Sequence, residues 1–164
     1  MDLQSGDARA ASRRNVVFVS YSHRNRRWVD RLLVHLRPLE RYMSIDVWED
    51  SRIRAGMKWR PEIEGALNSA SVAILMISAD FLASNFVMNN EVPALLRGAE
   101  TRGTVIMPLI IAPSLFGQSS LNCFQSVNPL EEPLSKLSAH KRDEVLVKLA
   151  TSIGEIYPPD GTGR

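Results

Sequence analysis

The chain has 164 residues, 45% of them hydrophobic and 23% charged, enough for one domain with a real core but too few for two. That composition excludes a disordered chain, and a formal net charge of +2 gives no global pull toward a polyanion. The charge is uneven: residues 1–60 hold 13 Lys/Arg against 7 Asp/Glu, and residues 61–164 hold 7 against 11. The one cysteine, Cys123, permits no internal disulfide. The longest apolar runs, around Val105 to Ala112, fall far short of the roughly 18–20 residues of a membrane span. The start lacks an apolar signal core, so a reducing, cytoplasmic setting without a membrane is expected. A piece cut from a longer protein would read the same way.

Residues 1–14 are small, polar and aperiodic, and are expected to form a disordered arm or linker. The domain is expected over 15–157, with 158–164 as tail or linker. Asn15 to Ser20 (NVVFVS) is a short, β-branched apolar run, which predicts a strand buried on both faces. The turn Tyr21-Ser22-His23 follows. A helix is predicted from about Asn25 to Glu40, with Trp28, Leu32 and Leu36 on one stripe. Pro38 should end or bend it near Arg37.

Ile45 to Trp48 predicts a short second strand, and Glu49 to Gly56 a charged loop that turns at its glycine. A second helix is expected from about Lys58 to Asn68, with Trp59, Ile63 and Leu67 as core. Val72 to Ile77 predicts the central strand. Helical patterning then carries Phe81, Phe86, Glu91 and Leu95, with a kink or restart forced by Pro93. Thr104 to Ile111 predicts a fourth strand, and its Pro108 argues against central pairing on both sides. Cys123 to Val127 is a candidate fifth strand. A last helix is predicted from Ala139 to Ile156.

Strands alternating with helices imply an α/β fold, a doubly wound parallel sheet with helices on both faces. The common flavodoxin-like order is 2-1-3-4-5, whose ligand crevice lies at the carboxyl ends of strands one and three. Those ends are Tyr21-Ser22-His23 and Ser78-Ala79-Asp80. The loop after strand two leaves on the same side. Tyr21, Ser22, His23, Trp48, Asp50 and Glu91 should therefore border one cleft.

Three motifs lie in order on these elements: FVSYSH after the first strand, WED-x₅-G-x₂-W after the second, and S-x-DF-x₂-S-x-F-x₄-E-x-P after the third. Together they resemble a Toll/interleukin-1 receptor (TIR) domain of bacterial type, over about Asn15 to Ile156. The resemblance implies one of two functions. Some members cleave nicotinamide from NAD⁺ with a glutamate on the third helix, and Glu91 matches that position. For these it implies an NAD⁺ glycohydrolase or ADP-ribosyl cyclase, NAD⁺ being substrate and not cofactor, acting in antiphage or cell-suicide signalling. Tyr21, Ser22, His23, Trp48, Asp50 and Phe86 would then bind substrate. Other members are non-catalytic scaffolds that assemble through the loop after strand two, here Ser51, Arg52, Ile53, Arg54, Ala55 and Gly56. Either way the expected partners are other TIR domains, in a homo-oligomer or filament, and a regulatory domain or protein. Several catalytic members carry an aromatic one helical turn before the glutamate, where this chain has Val87.

Other chemistries lack their residues. Phosphotransfer on this fold needs adjacent acids after strand one, where Tyr21-Ser22 stands. Metal-site spacings and phosphate-cradling glycine loops are absent. Arg24, Arg26, Arg27 and Arg31 read as a solvated helix face, since no aromatic interleaving or groove-binding motif points to nucleic acid.

Overall fold

The computed structural model describes residues 15–52 and 55–157, the side chain of Arg52 excepted. The expected arm, the expected tail, and Ile53 and Arg54 of the assembly loop lie outside the described residues. Four parallel strands form one sheet in the order β2-β1-β3-β4. They are β1 (Val16–Ser20), β2 (Asp46–Trp48), β3 (Ala70–Ile77) and β4 (Val105–Ile110). β1 and β3 are central, and their near-continuous burial explains their unbroken apolar runs.

The period-2 geometry of the strands sends alternate side chains to opposite faces. Val17, Val19, Val72, Ile74 and Met76 face one core with α1 (Arg26–Met43) and α5 (Ala139–Ile156). Phe18, Ala73, Leu75 and Ile77 face the other, with α2 (Trp59–Ser69) and α4 (Val92–Thr101). Between β3 and α4 lie a short helix α3 (Ala79–Ala83) and a π-helical turn, Val87–Glu91.

Three local expectations are corrected. Pro38 does not end α1, which runs on to Met43. The carbonyl that Pro38 leaves without a partner belongs to Val34, which is exposed and open to water. Beyond it, Leu39 and Met43 pack against Gly154 of α5 and hold the last turns in place. The single patterned helix through Phe81 and Glu91 breaks at Ser84, whose Oγ accepts from the Val87 N–H at 3.3 Å and caps the second stretch. The fifth strand does not form among the described residues. Ser120–Cys123 is a 3₁₀ turn, and the outer edge of β4 is closed by other means. Val127 donates its N–H to the Pro108 carbonyl (2.8 Å). The Asn128 carboxamide then accepts from the Ile110 N–H (2.9 Å) and donates to the Ile110 carbonyl (2.8 Å). One side chain replaces a strand's backbone there. Because Pro108 faces this outer edge, its missing N–H costs the sheet no bond to β3. Among the described residues no helix is long and apolar enough to cross a membrane.

Candidate active site

A cleft of about 660 Å³ opens at the carboxyl ends of β1 and β3, where the winding reverses. Tyr21, Ser22, His23, Asp50, Phe86 and Glu91 all line it. Trp48 does not. Its ring stacks on Phe18, centroids 5.1 Å apart, inside the core beneath α2. A strand that pairs on only one side still has a buried face, and Trp48 is on it.

Glu91 is 6% exposed. It closes the π-helical turn, where the Val92 N–H reaches back five residues to the Val87 carbonyl. That wider register absorbs Pro93, which has no N–H to give, and swings Glu91 onto the cleft side. Among the described residues, no side chain hydrogen-bonds to its carboxylate. Burial, with the charge of Asp50 added, pushes the Glu91 carboxyl up to about 8.

The opposite wall is a connected polar network. The Tyr21 hydroxyl donates to Asp50 Oδ1 (2.6 Å) and lies 3.0 Å from Glu49 Oε2. Arg26 Nη1 donates to the same hydroxyl (2.6 Å) and to Glu49 Oε2 (2.8 Å). Glu49 also accepts from the backbone N–H (2.8 Å) and the hydroxyl of Ser51. His23 pairs through Nε2 with the other oxygen of Asp50. Burial alone would raise the Glu49 carboxyl, but the bonds from Ser51, Arg26 and Tyr21 outweigh it and hold Glu49 below its ordinary range. Burial and the bond to Asp50 raise the Tyr21 phenol, so it stays a neutral donor.

Trp59 was expected in the core and is 47% exposed. It stands at the cleft mouth with its ring edge-on to Phe86, centroids 5.7 Å apart. The other members of its stripe, Ile63 and Leu67, are buried as expected. The helix after β2 starts at the carboxyl edge of the sheet, so its first turn borders the crevice. That placement is the signal that could have identified Trp59 from sequence. Val87 is buried and also lines the cleft, which receives its aromatic rings from Trp59 of α2 and from Phe86, the residue before Val87. Of the proposed assembly loop, Ser51 is tied to Glu49, while Ala55 and Gly56 are exposed. Gly56 has φ +87°, a conformation glycine adopts without strain.

The family model for the TIR domain matches residues 17–138. The chain belongs to the TIR-domain family. It is 32% identical over 95 residues to the protein y4lF of Sinorhizobium fredii (strain NBRC 101917 / NGR234), a match covering 58% of this chain and 29% of that protein. The match thus spans under a third of that bacterial relative's length. Its fold is also similar to the crystal structure of the TIR domain of the Toll-related receptor TRR-2 from Hydra magnipapillata. That likeness has a TM-score of 0.53 at 19% identity and covers 87% of this chain and 98% of the other. The sheet order 2-1-3-4 with helices on both faces is the flavodoxin-like arrangement expected of a TIR domain.

Proposed function

We propose that this TIR domain cleaves the nicotinamide–ribose bond of NAD⁺, as a glycohydrolase or cyclase, with Glu91 as the catalytic carboxylate. The observation that carries the reading is one buried carboxylate that has no hydrogen-bond partner among the described residues and faces a cleft of ligand size. Nicotinamide leaves as a neutral group when the ribose C1′–N bond breaks and the electron pair passes to the ring nitrogen. No general acid is required. The ribose is left as an oxocarbenium-like cation, the charge type met in glycoside cleavage. A desolvated carboxylate beside that cation stabilises it more than one in water would. The cationic substrate itself favours the ionised form of Glu91 that burial disfavours. Water or an internal nucleophile then takes the C1′ position, giving the open or the cyclised product.

The remaining residues have matching roles. Trp59 and Phe86 offer ring surface to a flat base. Asp50, beside the Tyr21 hydroxyl, offers an acceptor to ribose hydroxyls. Ser22, His23 and Arg24 border the side where a diphosphate would lie. A cytoplasmic setting and a role in antiphage or cell-suicide signalling accompany this reading, as does activation by self-assembly with other TIR domains under a regulatory domain or protein.

A second reading, a non-catalytic scaffold for TIR–TIR contact, is favoured by the exposed apolar side chains of Met57, Trp59 and Phe86 beside the loop after β2. The two part on one experiment. Concentrated wild-type protein and a folded Glu91→Ala variant are incubated with NAD⁺, and products are resolved by chromatography. Nicotinamide from the wild type alone supports catalysis, and the co-product separates hydrolase from cyclase. No nicotinamide from either, even when clustered, leaves the scaffold.

A further inference from the structure

A second cleft, of about 340 Å³, lies on the other face of the sheet between α1 and α5. Arg27, Trp28 and Arg31 line it from α1, and Arg142 and Asp143 from α5. Its charges are not balanced. Asp143 is fully engaged: Arg31 grips both its oxygens (3.0 and 2.9 Å), and His35 reaches one of them (2.9 Å). These bonds hold the Asp143 carboxyl at about 2, so it stays ionised and committed to Arg31.

Arg27 and Arg142 have no such partner. Their guanidinium carbons lie 5.0 and 4.9 Å from the centroid of the Trp28 ring. Arg142 donates Nε–H to the Leu134 carbonyl (2.7 Å), a neutral acceptor that orients the group and leaves its charge intact. Among the described residues, neither arginine is paired with a carboxylate. Two like charges are thus held against one indole, with donors to spare and a cavity in front of them. The sequence offered a solvated helix face here. Of its four arginines, Arg24 lies near Asp80, Arg26 serves Glu49 and Arg31 serves Asp143, which singles out Arg27.

Three arginines against one aspartate leave an excess of two positive charges, the complement of a phosphate monoester dianion. Guanidinium forks suit phosphate oxygens, which accept from several directions. The rest of the wall is apolar, with Leu134 and Leu146 beside the indole, and the volume exceeds what a bare ion needs. We propose that the α1–α5 cleft binds a nucleoside monophosphate, its phosphate held by Arg27 and Arg142 beside the Trp28 indole and its base against the Leu134 and Leu146 wall. This site is separate from the Glu91 cleft and does not rest on the NAD⁺ reading.

The test follows the Trp28 indole N–H by NMR, assigned with Trp28→Phe, while AMP, ribose 5-phosphate and inorganic phosphate are titrated at constant ionic strength. Saturable binding of AMP is expected, tighter than ribose 5-phosphate and tighter again than inorganic phosphate. Arg27→Gln should weaken it about tenfold, the scale of one charged hydrogen bond. Arg27 makes no hydrogen bond whose loss would unfold the protein, and Arg142→Lys supplies a second variant that keeps a charge but loses the fork. Shifts that never saturate would overturn the proposal. So would affinity unchanged in both variants, or AMP binding no tighter than inorganic phosphate.

Discussion

Glu49 and Glu91 are buried almost equally, at 5% and 6% exposure, yet their carboxyls are displaced in opposite directions. Glu49 sits where the chain leaves β2, Ser51 and Arg26 donate to it, and the Tyr21 hydroxyl lies 3.0 Å away. Glu91 sits across the cleft with no donor among the described residues and with Asp50 as a like charge. Burial sets the stakes for both, and partners decide the sign. The first carboxylate is structural: it has spent its acceptors on the protein. The second lines the cleft, and among the described residues its acceptors are not taken up.

The largest expected effect comes from Glu91. Glu91→Gln should lower NAD⁺ cleavage by about 10²–10³-fold, the scale of losing one preorganised electrostatic group, while leaving the circular-dichroism spectrum unchanged. The same variant should be more stable than wild type at high pH. A raised native carboxyl means that the folded state holds a proton the unfolded state has lost. Wild-type stability therefore falls as pH rises from about 4.5 through about 8, by on the order of 5 kcal/mol once Glu91 is fully ionised. Urea midpoints of the two proteins across that range should diverge upward in pH and converge below it.

Glu49 should behave the other way. Glu49→Ala leaves Arg26 and Ser51 short of an acceptor and should cost about 2 kcal/mol, discounted because Arg26 is partly exposed. Since its carboxyl is held low, that loss should be present above pH 4.5 and shrink as pH falls through the native value. Denaturant melts at neutral and acid pH would read this. A Glu91→Gln protein that lost stability at neutral pH, or a Glu49→Ala protein that lost none, would break the contrast.

Smaller effects refine it. Asp50→Asn removes the like charge but not the burial, so the Glu91 midpoint should move down and remain above the ordinary carboxylate range, as a ¹³C-labelled glutamate titration would register. Trp59→Ala should raise KM for NAD⁺ about three- to tenfold, the worth of an aromatic contact, with little change in kcat.

Much of this arrangement was legible beforehand. The apolar runs Asn15 to Ser20 and Val72 to Ile77 predicted the central strands found at Val16–Ser20 and Ala70–Ile77, and the winding rule placed Tyr21, His23, Asp50 and Glu91 at one crevice. What stayed hidden depends on tertiary detail that periodicity does not encode. Trp48 and Trp59 exchanged roles because strand alternation and helix stripes report a face, not how far along an element the core extends. Glu49 looked like one more loop charge, but three donors from Ser51 and Arg26 of α1 converge on it. The π-helical turn was foreshadowed only by Pro93, and the missing fifth strand turns on a single carboxamide, Asn128. Val87, read as the absence of a ring, lines a cleft that also holds the rings of Phe86 and of Trp59 from another helix.

The most direct measurement is the pH profile of kcat/KM for NAD⁺, which reports the ionisation of the free protein. With Glu91 as the reacting carboxylate, the rate should climb as pH rises and level off with a midpoint near 8, and Glu91→Gln should show no such step. A wild-type profile flat from pH 6 to 9, or a step that survives in Glu91→Gln, would place the chemistry on another group.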